Sequence, residues 1–209
     1  MTQTDLPFDR GQAHTILAEA CKGADDGDIY VERTRSESFV FDDGRLKSAA
    51  YDTGHGFGLR VVAGETSGLG HASELTIEAI KRAGETAAQA KVGYDGKLAV
   101  GPVPTNRRLY KPVDPTVDPS FNMKTGLLAE IDAYARAKDA RVVQVSASLS
   151  GSHSEIDIIR PDGAHFHDIR PLVRLNVSVT MEKEGRRETG SSGAGGRAAY
   201  EDCRQPDAW

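Results

Sequence analysis

The sequence predicts an α+β fold in which antiparallel, hairpin-rich sheets are covered by helices. Three observations carry that expectation. Glycine supplies 22 of the 209 residues, Asp-Gly pairs sit between alternating strand-like runs, and three helix-period segments are set off from those runs by turn residues. A chain of this length holds one sizeable core or two small ones. Its hydrophobic fraction of 38% and charged fraction of 27% are those of an ordinary globular protein.

The elements follow in order. From Phe8 to Cys21 the residues Phe8, Ala13, Ile16, Leu17 and Ala20 recur at helical spacing, and GADDG after Lys22 stops the helix. DIYVERTR, residues 28–35, alternates: Ile29, Val31 and Arg33 share one face, Tyr30, Glu32 and Thr34 the other. SESFVF then runs into Asp42-Asp43-Gly44 and RLKSAAY resumes, which predicts a hairpin with a primed turn. Phe57 to Val62 is a further strand, AGETSG a loop and LGHAS a short return strand. From Ser73, a predicted N-cap, Leu75, Ile77, Ile80, Ala83 and Ala87 form a helical stripe, with Glu74 and Glu78 early and Lys81 and Arg82 later, as a helix dipole favours. Residues 92–120 carry five prolines and no periodicity, the pattern of an extended surface connector.

The pattern then recurs. Phe121 to Lys138 is helical, RVVQVSASLS alternates, SEIDIIRPDGAHFHDI is two strands around Asp162-Gly163, and LVRLNVSVT is another strand. EKEGRRETGSSG reads as a longer loop and GGRAAYE as a return segment. Asp43-Gly44 matches Asp162-Gly163, and Leu69–Glu74 matches Gly196–Glu201, so the sequence reads as an internal duplication: a first unit over 1–91, the connector over 92–120 and a second copy over 121–209. The second copy stops soon after Glu201, as though cut off in mid-domain, which predicts an uncovered apolar face and self-association.

Several function classes drop out. A net charge of −5 gives no electrostatic footprint for nucleic acid. No apolar run reaches the roughly 20 residues that cross a bilayer, so no membrane role is expected. The first residues, MTQTDLPFDRGQ, carry no export signal, and the default location is cytoplasmic. Cys21 and Cys203 read as free thiols.

The stretch YDTGHGFGLRVV poses the sharpest question, because Gly54, His55, Gly56 and Gly58 could belong to a phosphate cradle, a metal site or a strand that another backbone approaches. Neither a dinucleotide fingerprint nor a P-loop is present, so the glycines are expected to mark close packing or an edge open to a peptide. His165 and His167 share a strand face and could supply two metal ligands, whereas a zinc site needs three or four; the pair reads as solvated strand histidines. His55, His71 and His153 are isolated and read as turn or surface residues. Ser191-Ser192 within GSSGAGG reads as a flexible loop whose amides could receive an anion. No catalytic residue and no complete metal site is assigned.

ERTRSESFVFDDGRLKSAAYDTGHGFGLRVVAGETSGLGHAS, residues 32–73, closely resembles the N-terminal region of the TldD/PmbA family of zinc-dependent metallopeptidases, on the TldD side, and GSSGAGGRAAYED is similar to the segment that precedes that family's catalytic half. The resemblance covers essentially the whole chain. It implies the N-terminal, non-catalytic portion of a hydrolase that degrades unfolded peptides or small proteins, pairs with a paralogous TldE/PmbA-type subunit and holds zinc through a helical His-Glu-x-x-x-His motif with a downstream cysteine. None of those ligands occurs here, so zinc is implied for the full-length family enzyme and not for this chain, which is expected to be inactive alone. The alternative from another class is a metal-free peptide-binding or subunit-assembly module.

Overall fold

The computed structural model describes residues 6–101 and 110–203. Two of the five connector prolines, Pro102 and Pro104, and the last six residues of the second copy lie outside the described residues. The order of elements is α1 (Arg10–Ala20), β1 (Asp26–Asp42), β2 (Arg45–Ala63), β3 (Thr66–Ala72), α2 (Ile77–Ala87), α3 (Phe121–Lys138), β4 (Val142–Ile159), β5 (His165–Lys183) and β6 (Arg186–Gly196), with short 3-10 turns at Ala88–Lys91 and Tyr200–Cys203. The strands form a six-stranded antiparallel sheet in the order β3-β2-β1-β4-β5-β6. The α+β class is therefore as the sequence predicts, and a helix followed by a three-stranded meander occurs twice.

Turn chemistry sets the meanders. Asp43 and Gly44 have φ of 50° and 76°, the two left-handed residues that a primed turn demands. A second such pair, Glu184-Gly185 at 53° and 79°, joins β5 to β6. This corrects the sequence expectation of a loop over EKEGRRETGSSG: the run is a turn followed by strand β6, and Ser191 and Ser192 are paired strand residues opposite Ser178 and Val177. Asp162-Gly163 also differs from its counterpart. Only Gly163 has positive φ, the Asp162 side chain accepts from the amide of Ala164 at 3.0 Å, and a five-residue turn over residues 160–164 closes with the Arg160 amide donating to the Ala164 carbonyl at 2.9 Å. β4 is longer than expected, continuing through Gly151 to Ile159.

The helices start where side chains satisfy their free amides. Asp9 caps α1 through the amide of Gln12 at 2.7 Å. Thr76, and not Ser73, caps α2 through the amide of Ala79 at 3.2 Å; Ser73 lies in the lead-in. α3 has the predicted bounds, with Arg136 and Lys138 in the last turn facing the negative end of its dipole.

The chain forms two compact units. Among the described residues the first takes 6–33, 54–101 and 155–168; the second takes 34–53, 110–154 and 169–203. In the first, Ala13, Leu17 and Ala20 of α1 and Ala79, Ile80, Ala83 and Ala87 of α2 pack on Ile29 and Val31 of β1 and on Phe57, Leu59 and Val61 of β2. In the second, Leu127, Leu128 and Ile131 of α3 pack on Phe39 and Phe41 of β1, Val145, Ala147 and Leu149 of β4, and Val173, Leu175 and Val177 of β5. Each fully buried valine, leucine, isoleucine or phenylalanine in these cores contributes on the order of 1.5–3 kcal/mol.

Candidate functional site

The inward face of β1 carries an unusual sequence of residues: Ile29 and Val31, then Arg33, Arg35 and Glu37, then Phe39 and Phe41. Charges on a face that elsewhere builds a core must be matched, and each unit matches its own. In the second unit Glu37, 8% exposed, meets Lys124 of α3, 3% exposed, at 2.6 Å. Glu37 also accepts the Tyr200 hydroxyl at 3.0 Å, and Lys124 donates to the Thr116 carbonyl at 3.2 Å. Burial first, and the adjacent Glu37 carboxylate second, push the Tyr200 phenol well above its usual range. Gly151 is required beneath that phenol, because a methyl group there would collide with the Tyr200 hydroxyl.

Beside it, Arg35 pairs with Asp114 at 2.8 Å and reaches His153 Nδ1 at 3.4 Å. His153 is 4% exposed and lies in β4, which corrects the expectation of a turn or surface residue. Burial is the largest influence on Asp114 and raises its pKa, but the hydroxyl and amide of Thr116, then His153 and Arg35, outweigh it and hold the carboxyl below the ordinary range.

In the first unit the centre of charge is Asp157, 1% exposed. One of its oxygens, Oδ1, lies 2.9 Å from His165 Nε2 and 3.2 Å from His167 Nδ1. Arg33 stands 3.6 Å from Oδ2 and 3.0 Å from Glu155. Both histidines are engaged by Asp157; His165 is half-buried, which departs from the solvated pair expected, whereas His167 is exposed as expected. Arg10 of α1 approaches His165 Nδ1 at 3.0 Å, and His14 Nε2 approaches the Pro161 carbonyl at 3.2 Å.

Gly54, His55, Gly56 and Gly58 all lie in β2. Pairing with β3 runs only from Phe57↔Ala72 to Ala63↔Thr66, so residues 45–56 extend past the end of β3, exposed along nearly their whole length. A side chain at Gly54 would meet open space, at Gly56 it would press on the Ala72 carbonyl at 3.1 Å, and at Gly58 it would touch the Leu69 side chain at 3.5 Å. Tighter constraint falls on the neighbouring strand β3: a methyl at Gly68 or Gly70 would collide with the carbonyl oxygens of Ala87 or Ala83 in α2. Their Gly-x-Gly spacing was the available signal.

The comparisons with known proteins decide the family. Residues 27–91 match the model of the PmbA/TldA metallopeptidase domain 1, and residues 114–205 match that of the PmbA/TldA metallopeptidase central domain. The chain belongs to the TldD/PmbA metallopeptidase family. It is 39% identical over 180 residues to the metalloprotease TldD homolog of Buchnera aphidicola subsp. Schizaphis graminum, covering 84% of this chain and 37% of that protein. It is 36% identical over 179 residues to the Haemophilus influenzae homolog, with the same coverage. The chain thus spans little more than a third of the length of these curated relatives.

Solved structures share the fold. TldE from Thermococcus kodakarensis aligns with a TM-score of 0.69 at 18% identity, over 90% of this chain and 43% of that one. A proposed modulator of a DNA gyrase from Thermotoga maritima aligns with a TM-score of 0.72 at 19% identity, over 92% and 44%.

A metallopeptidase family implies a metal, and the donor set among the described residues of this TldD/PmbA-family chain does not fit one. Among the described residues no group of three His, Cys, Asp or Glu side chains is arranged to hold a metal ion. The nearest approach, Asp157 with His165 and His167, has its donor atoms turned on one another and is flanked by the guanidinium groups of Arg33 and Arg10, charges that oppose a cation. No described helix is long and apolar enough to cross a membrane.

Proposed function

We propose that this chain supplies the first and central domains of a TldD-type zinc metallopeptidase and acts there as non-catalytic scaffold and substrate wall for the hydrolysis of unfolded peptides. The observation that carries the reading is the match of both family domains, in order, to one chain whose curated relatives are named metalloproteases. The bound metal would supply polarisation of the scissile carbonyl and activation of water, through residues outside these two domains. A paralogous TldE/PmbA-type subunit is the proposed partner and the cytoplasm the proposed location.

What these domains contribute is backbone. The exposed run of β2 from Arg45 to Gly56, including Gly54, His55 and Gly56, extends beyond its register with β3, and main-chain hydrogen bonds along such an edge would hold an extended peptide without regard to its sequence. The test is zinc content and peptidase activity measured side by side on the 209-residue chain, on the full-length Haemophilus influenzae relative and on the segment of that relative equivalent to this chain. Zinc and cleavage in the full-length protein alone is the expected result. Stoichiometric zinc or cleavage in either short chain would overturn it and direct attention to His165 and His167. Peptide binding with neither zinc nor cleavage in any of the three would favour a metal-free binding or assembly module.

A further inference from the structure

We propose that the His165 imidazole is an acid-released clasp that holds α1 to the turn between β4 and β5. The donors and acceptors around the ring fix its tautomer. Arg10 lies 3.0 Å from His165 Nδ1, and a guanidinium has donors only. Nδ1 must therefore accept, so the ring proton resides on Nε2, where it is donated to Asp157 Oδ1 at 2.9 Å. The chain Arg10 to His165 to Asp157 is satisfied only while the imidazole is neutral.

Protonation of Nδ1 changes the two ends in opposite directions. At the inner end, an imidazolium strengthens the bond to the buried Asp157 carboxylate. At the outer end, a second N–H and a positive charge now face the Arg10 guanidinium, and the contact to α1 is lost. The surrounding charges leave this partition intact. His167 bonds the same Asp157 oxygen from β5, and Arg33 of β1 pairs with Glu155 and approaches the other Asp157 oxygen. Arg160 is paired with Asp26, and Asp162 is occupied by the amide of Ala164. The remaining link from α1 to the turn, His14 Nε2 to the Pro161 carbonyl, uses imidazole as a donor and survives protonation. Acid thus loosens one end of α1 while the histidine stays fixed to the sheet.

The experiment is nitrogen NMR of the histidine rings together with amide hydrogen exchange on the 209-residue protein between about pH 8 and pH 5, the range in which imidazoles change charge. Neutral His165 is expected in the Nε2–H tautomer, and as it protonates the α1 amides should lose protection by about tenfold beyond the intrinsic pH effect, the worth of one charge-assisted hydrogen bond, while β4 and β5 amides keep theirs. In His165→Gln, whose amide accepts and donates at all pH values, the α1 loss should vanish. In Arg10→Gln, α1 protection should be low already at neutral pH and flat with pH. An Nδ1–H tautomer, or α1 protection that ignores His165 protonation, or an undiminished pH response in both variants, would overturn the proposal.

Discussion

At the scale of single residues the second unit hinges on Glu37. A carboxylate that is nearly inaccessible is tolerable because Lys124 and Tyr200 both bond to it, and removal of one partner leaves a buried charge without its counterion. Lys124→Met should therefore cost about 3–5 kcal/mol, read as a fall in the urea midpoint. The double variant Lys124→Met/Glu37→Gln should recover most of that loss, since the buried charge is gone. A second residue gives a pH dependence. Burial first, and Asp26 second, push the Cys21 thiol up to about 11, against about 8.5 for an exposed thiol. The folded state keeps a proton that the unfolded state releases, so the contribution is fully present below about pH 8.5 and is lost as pH rises towards 11. Urea midpoints measured across that range should fall more steeply for the native sequence than for Cys21→Ala; equal slopes would place the titration elsewhere.

At the scale of elements, glycines that look alike in the sequence separate by what stands over them. Gly68→Ala and Gly70→Ala force a methyl into the backbone of α2 and should cost about 1–3 kcal/mol each. Gly54→Ala meets nothing within 4 Å and should stay within about 0.5 kcal/mol of the parent. Thermal or urea denaturation of the three variants checks the order. Legibility followed the same logic. α3 and the Asp43-Gly44 turn were readable because local signals decide them: helix periodicity for one, two left-handed φ values for the other. β6 was not readable, because eight of its eleven residues are exposed one after another and no apolar alternation marks a strand without a buried face. The site was half legible. That His165 and His167 share a face follows from strand geometry, but Asp157 stands eight and ten residues away across a turn, and its carboxylate in SEIDIIR looks like any solvent-facing acid until the fold turns it inward.

At the scale of the molecule, each unit draws its core from three separate stretches of chain, so no short segment is self-sufficient, and surface left over from packing becomes visible. In the second unit an open groove of about 520 Å³ runs between Ile131, Tyr134 and Ala135 of α3 and Val177, Val179 and Met181 of β5, walled on its far side by residues 188–192 of β6. Contiguous apolar surface of this kind drives association. The β6 edge is a weaker candidate for the same behaviour, since it begins Arg186-Arg187-Glu188 and continues in glycine and small polar residues, charge and composition that discourage edge-to-edge pairing. Light scattering on the 209-residue protein should therefore show mass rising with concentration. Met181→Lys, which places a charge in the groove, should move that rise to roughly tenfold higher concentration, as expected from losing one apolar contact of about 1.5 kcal/mol. Ser191→Lys on the adjacent edge serves as the comparison: if it relieves association and Met181→Lys does not, the chains meet through strand edges, and if the native sequence stays monomeric at high concentration, the groove is not adhesive.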